Sequence, residues 1–123
     1  MFINLTNHPS SKWGKEQIGA AKEYGEIIDI AFPRIDPREN SEAIDKKVDM
    51  YFEAVRNFPT APSLVVLVQG EFIFTYRMVE KLRAAGIKAV SSCCERRVRE
   101  YIDEAGKTQK TAEFEFAGFK PYW

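Results

Sequence analysis

The sequence predicts an α/β protein: an open sheet of four parallel strands in the order 2-1-3-4, flanked by helices, with a C-terminal antiparallel β-hairpin. Three observations carry this expectation. Short apolar runs alternate with segments of helical periodicity three times before a fourth run, the pattern of a parallel sheet with right-handed crossovers. Residues 64–68 are apolar without interruption, as in a strand covered on both faces. Beyond residue 98 no helical segment intervenes, and Phe114 and Phe116 alternate with Glu113 and Glu115. That alternation reads as a hairpin over residues 98–119, with one face buried and one wet.

Each element has a local reason. Residues 2–5 form a short apolar strand. Ser10 or Ser11 can cap a helix that runs to about residue 24, with Gly25 as its stop. Trp13, Ile18, Ala21 and Tyr24 fall near helical spacing there, although Gly14 and Gly19 weaken the pattern. Residues 26–30 read as the second strand. Pro33 and Pro37 then forbid a continuous element. Ser41 is the expected cap of a long helix carrying Ile44, Val48, Tyr51, Phe52 and Val55 on one side, ended by Pro59 and Pro62. Residues 71–85 form the third helix, with Thr75, Met78, Val79 and Leu82 inward and Gly86 at its end. Residues 88–92 are the fourth strand.

The 123 residues fit a single domain over 1–123, able to bury about two thirds of the unfolded surface. The chain is 45% hydrophobic and 29% charged, an ordinary globular composition. Its 18 basic and 18 acidic residues give zero formal charge. This excludes a long nucleic-acid track, which needs a broad basic surface, but allows a compact anion held by a few local groups. No apolar run approaches ~18 residues and no signal-peptide pattern precedes the first strand, so no membrane and a cytoplasmic location are expected. Cys93 and Cys94 are adjacent, a poor disulfide pair because neighbouring strand side chains point apart. One histidine and two adjacent cysteines make no metal set, and no cofactor is implied.

Function is sought at the carboxyl ends of the strands, where open α/β sheets bind ligands. Three polar clusters fall there: residues 6–11, residues 69–72 and residues 91–97. Gly70 would let the backbone approach a ligand, and the helix that follows would offer free N–H groups to an anion. Glu71 suits that helix dipole but competes with an anion; the plainer reading is a tight turn with an acidic first residue. His8, the only histidine, can serve as acid, base or phosphate donor near neutral pH, or be an exposed loop residue. Arg96, Arg97 and Arg99 can fork onto phosphate oxygens, or sit on a solvated strand face balanced by Glu95 and Glu100. Cys93 and Arg99 match the bare Cys-x5-Arg spacing of thiol phosphatases, without the glycine and helix such a cradle needs.

With these elements placed, the chain resembles the small stand-alone CRISPR-associated Rossmann-fold (CARF-like) proteins of type III systems, in particular the ring-nuclease group. The shared features are a strand ending in Thr6-Asn7-His8-Pro9-Ser10, a helix holding Trp13, a strand opening into Gln69-Gly70-Glu71-Phe72 with Thr75 behind it, and Ser91-Ser92-Cys93-Cys94-Glu95-Arg96. The resemblance covers roughly residues 1–100. It implies a Rossmann-like domain binding a cyclic oligoadenylate messenger in a cleft across a homodimer. It also implies metal-free cleavage by a ribose 2′-hydroxyl on the adjacent phosphate, which switches the signal off. Such chemistry needs positioning, stabilisation of phosphorane charge and one proton shuttle. On this reading His8, Ser10 and Arg96 are catalytic, while Thr6, Asn7, Gln69, Gly70, Glu71, Phe72, Ser91 and Ser92 hold the ligand. A non-catalytic module that sequesters the nucleotide is the second reading, and a Cys93/Arg99 thiol phosphatase the third.

Overall fold

The computed structural model describes residues 1–59 and 64–123. In chain order it holds β1 (Phe2–Thr6), α1 (Lys15–Lys22), β2 (Ile27–Ala31), α2 (Ser41–Arg56), β3 (Val65–Gln69), α3 (Phe72–Ala84), β4 (Lys88–Ile102) and β5 (Thr108–Pro121). The five strands form one sheet in the order β2-β1-β3-β4-β5. β1 pairs in parallel with β2 and β3, and residues 88–90 of β4 pair in parallel with β3. β4 and β5 are antiparallel.

The expected break between the fourth strand and the hairpin does not exist. β4 runs fifteen residues without interruption, so the fourth strand is itself the first arm of the hairpin. Only its first three residues pair in the ladder with β3; from Ser91 onward the ladder partner is β5 alone. No proline or glycine interrupts residues 88–102, so nothing ends the strand when it leaves the sheet. A bulge places Ala117 between the partners of Cys93 and Cys94, the local device by which a ribbon twists away from its sheet.

Because strand side chains alternate, each face of the sheet gathers one parity. Ile3, Leu5, Val66, Val68 and Ala89 face α2 and α3, where Ile44, Val48, Val55, Phe74, Met78 and Leu82 complete a buried core. Phe2, Val65, Leu67 and Val90 face α1 and pack with Ala21, Trp13, Tyr24 and Phe119. The α2 stripe matches its expected members: Ile44, Val48 and Val55 are buried, and Tyr51 and Phe52 pack against them. On α3, Met78 and Leu82 point inward as expected, and Phe74 joins them, its ring 5.8 Å from that of Tyr51.

The helix starts differ from the sequence reading. Asn40, not Ser41, caps α2, its side chain accepting from the Ala43 N–H at 2.9 Å. α1 begins only at Lys15, after Gly14 and a turn of 3-10 helix over Ser10–Lys12. Ser10 is not its cap, because the hydroxyl is drawn to Asp29 on β2. Gly25 does follow α1, with φ of 115°, a conformation that favours glycine. The Pro62 stop of α2 lies outside the described residues; α2 ends at Arg56, ahead of Pro59.

Gly70 has a packing reason that the sequence did not show. A Cβ there would lie 2.4–2.7 Å from the ring of Phe32. That ring is buried and sits edge-on to Phe74 at 4.9 Å, so it has little room to retreat. Gly70→Ala should therefore cost about 1–3 kcal/mol of stability by overpacking, read from urea unfolding midpoints. In a Phe32→Ala background the same change should cost much less, because the clash partner is gone.

Candidate functional site

The parity that builds the core also builds the site. Asn4 and Thr6 on β1, Asp29 on β2, Gln69 on β3, and Ser92 and Cys94 on β4 share the α1 face with Phe2, Ile27, Leu67 and Val90. At the carboxyl ends of β1, β3 and β4 this face opens into a cleft of about 570 Å³. Its floor is Leu67, Gln69, Gly70 and Ser92, and its walls are Thr6, Asn7, His8, Lys12, Trp13, Gln17, Phe72 and Cys94.

The loop carrying His8 is held by a buried amide. Asn4, 1% exposed within an otherwise apolar strand, donates from Nδ2 to the His8 carbonyl and to Asp29 Oδ1, both at 2.9 Å. Its Oδ1 accepts from the Thr6 hydroxyl at 2.8 Å, and Thr6 Oγ1 in turn accepts from the His8 N–H at 3.1 Å. Trp13 Nε1 donates to the same His8 carbonyl at 3.1 Å. Asp29 also accepts from the Ser10 hydroxyl at 2.9 Å and from the Ser10 N–H. The main chain of His8 is thereby fixed from three directions. Its imidazole makes no hydrogen bond among the described residues and lines the cleft.

The other expected site residues divide. Thr6, Asn7, His8, Gln69, Gly70, Phe72 and Ser92 all line the cleft. Gln69 Oε1 accepts from the Ser92 N–H at 2.9 Å, tying β3 to β4 and leaving its amide N–H groups as donors. Glu71 does not line the cleft: its carboxylate caps α3, accepting from Ile73 N–H at 3.1 Å and Phe74 N–H at 2.7 Å. It thus takes two of the N–H groups expected to cradle a phosphate. Ser10 is engaged by Asp29. Ser91 has the opposite parity to Ser92 and lies by Cys93 on the other face, 3.9 Å between Oγ and Sγ. Arg96 shares the face of Cys94 but stands one strand repeat further out, exposed and outside the cleft.

Several participants were missed. Lys12, Trp13, Gln17 and Cys94 line the cleft, and Asn4 and Asp29 hold its loop. The legible signal was Asn4 itself, a polar residue inside an apolar run. Lys12 and Gln17 gave none, since their approach depends on the late start of α1. Phe72 lies at the mouth, its aromatic ring 87% exposed.

Electrostatically the cleft is selective. Among the described residues no carboxylate lines it, and Lys12 is its one formal charge. Among the described residues no group of three or more His, Cys, Asp and Glu is placed to hold a metal ion, and no helix is long and apolar enough to cross a membrane. Cys93 and Arg99 sit six residues apart on one extended strand, about 20 Å, so the thiol-phosphatase arrangement is not formed.

The model of one family, described as Uncharacterized protein MJ1673 family, matches residues 1–120, and the chain belongs to that family. No curated protein and no solved structure matches the chain.

The loop should depend on its buried amide. Asn4→Ala would take one hydrogen bond each from the His8 carbonyl, the Thr6 hydroxyl and the Asp29 carboxylate, costing about 1–3 kcal/mol. Beyond the drop in melting temperature, amide exchange at His8 and Ser10 should accelerate more than exchange in α2. Equal acceleration everywhere would show that the amide serves only the core.

Proposed function

We propose that the cleft binds a cyclic oligoadenylate and cleaves it, in the manner implied by the ring-nuclease resemblance, acting in the cytoplasm to switch off a type III CRISPR signal. The observation that carries this reading is the make-up of the cleft. Among the described residues it combines one cation, one imidazole, amide and hydroxyl donors and two aromatic rings, with no carboxylate. That set suits a nucleotide: cation and N–H donors for phosphate, Trp13 and Phe72 for base stacking. Its position at the carboxyl edge of the parallel strands, on a Rossmann-like scaffold, agrees with where such ligands bind. A volume near 570 Å³ holds roughly one or two nucleotides, so a ring would extend past the mouth, towards a second copy.

In the reaction, a ribose 2′-hydroxyl attacks the adjacent phosphorus and the P–O5′ bond breaks. The products are a 2′,3′-cyclic phosphate and a 5′-hydroxyl. The 2′ proton must leave and the 5′ oxygen must gain one; the His8 imidazole, which lines the cleft, is the group suited to carry it. The phosphate charge assigned by sequence to Arg96 falls instead to Lys12, which lines the cleft, aided by the Gln69 amide. Asn7 and Thr6 orient the ribose.

The decisive measurement is incubation with cyclic tri-, tetra- and hexa-adenylate in chelator, with products separated by chromatography. Linear or cyclic-phosphate products are expected from one ring size. Tight calorimetric binding with intact ligand would instead make the cleft a sequestering module, and absence of binding would remove both readings.

Two variants should separate the roles. His8→Ala should slow turnover by about 10²–10⁴-fold with affinity nearly unchanged. Lys12→Ala should weaken affinity and flatten its decline with salt, since that charge is screened as ionic strength rises. Wild-type turnover in His8→Ala would assign the imidazole no part in the chemistry.

A further inference from the structure

Beyond the sheet, the β4–β5 hairpin carries an apolar face that none of the described residues covers. From Cys94 to Phe114 every residue is exposed except Asp103, which is half-buried in the turn. The expected buried face is therefore present as a pattern but bare. One side displays Val98, Ile102 and Phe114 at 54%, 73% and 71% exposure, with Ala112 opposite Val98 and Phe116 opposite Cys94. The other side carries Glu95, Arg97 and Glu115, joined by Arg97–Glu95 and Arg97–Glu115 ion pairs at 3.5 and 3.1 Å. The neighbouring aromatics Phe119, Tyr122 and Trp123 have partners within the chain. Phe119 lies against Phe2 at 4.9 Å, Tyr122 donates to the Val68 carbonyl at 2.6 Å, and Arg83 lies over Trp123.

The hairpin is built to hold its shape. Its turn is tied by Asp103, whose carboxylate accepts from Ala105 N–H, Lys107 N–H and Gln109 Nε2 at 2.9–3.0 Å. Gly106 supplies the left-handed residue with φ of 78°.

We propose that this face docks on the same face of a second copy, with a two-fold axis crossing the hairpin at Val98. The charge pattern selects that partner and that register. On the apolar side only Arg96, Glu100 and Lys110 are charged. Arg96 and Glu100 stand two residues either side of Val98, equidistant and opposite in sign. A two-fold at Val98, perpendicular to the strands and in the plane between the ribbons, reverses the strand and turns the face over. It lays β4 on β4, so that Arg96 meets the partner's Glu100 and Glu100 meets the partner's Arg96. This is the self-complementarity that an isologous contact requires. The same operation sets Cys94 against the partner's Ile102, Phe116 against the partner's Thr108, and Phe114 against the partner's Lys110. Glu100, already paired with Lys110 at 3.4 Å, then sits between two cations. The contact deepens the functional reading by giving the second copy its place, and the hairpin side chains alone support it, so dimerisation and ligand cleavage fail separately.

The test is a charge exchange read by analytical ultracentrifugation across the micromolar range, with no ligand present. Wild type should sediment as a dimer. Arg96→Glu sets like charges opposite each other twice, as does Glu100→Arg; each should raise the dimer dissociation constant by about 100-fold or more. Mixing the two single variants should rebuild a heterodimer, because both cross-axis contacts then pair a carboxylate from the Arg96→Glu chain with a guanidinium from the Glu100→Arg chain. The double exchange within one chain should restore the homodimer. Both positions are exposed, so circular dichroism and melting temperature should match wild type. A monomeric wild type, dimeric single variants, or single variants that stay apart on mixing would each overturn the proposal.

Discussion

The site rests on one buried amide. Asn4 lies inside a strand whose neighbours Phe2, Ile3 and Leu5 are fully buried, where an unpaired polar group costs about 1–3 kcal/mol. It is tolerated because its donors and its acceptor are all used: Nδ2 by the His8 carbonyl and Asp29, Oδ1 by the Thr6 hydroxyl. The same need for partners draws the residues 7–10 loop down onto β1 and β2. Trp13 adds its Nε1–H to the His8 carbonyl while its ring packs edge-on to Phe2 at 6.2 Å. The amide thus converts a requirement of the core into the placement of the imidazole.

Strand parity does the rest. In-register pairing of Asn4 with Leu67 and of Leu67 with Val90 puts three neighbouring strands in phase. Every second side chain beyond the core, Thr6, Gln69 and Ser92, then meets at one edge. Parity also separates Ser92, at the cleft, from Ser91 and Cys93, which face the opposite side beside Tyr122. The Tyr122 hydroxyl is pushed above its ordinary pKa by burial, with Cys93 adding to the shift. Shifting one strand by a single residue would exchange these sets.

The parallel core and its strand order were legible because apolar runs and helical stripes report which surfaces are covered. Most of the cleft was legible too, since strand ends are visible in sequence and the topology brings them together. What was hidden depends on competition between local partners. Ser10 resembles a helix cap but Asp29, nineteen residues away, takes its hydroxyl. Glu71 could have accompanied an anion or replaced one; the geometry of its turn lets both carboxylate oxygens cap α3. Gly70 reads as a ligand-facing glycine, yet the ring of Phe32 already occupies the space beside it. Arg96 looked like part of the cleft only if the strand ended at Ser92. The continuous β4 carries it outward instead.

That continuity sets a problem the chain must solve. A two-stranded ribbon standing off a domain is at best marginal in water, and an open edge invites pairing with other chains. Here Asp103 ties the turn, the Arg97 ion pairs span one face, and the bulge at Ala117 twists the ribbon's root. Phe116 and Phe119, with rings 4.9 Å apart, carry apolar packing from the α1-side core onto the ribbon. The ribbon is therefore an extension of the layer that holds the cleft. Ser92 and Cys94, which line the cleft, belong to the same strand and face as Arg96 and Val98. Anything that settles on the ribbon's apolar side bears on β4 within two residues of the cleft rim. One strand therefore carries both the rim of the cleft and the apolar side of the ribbon.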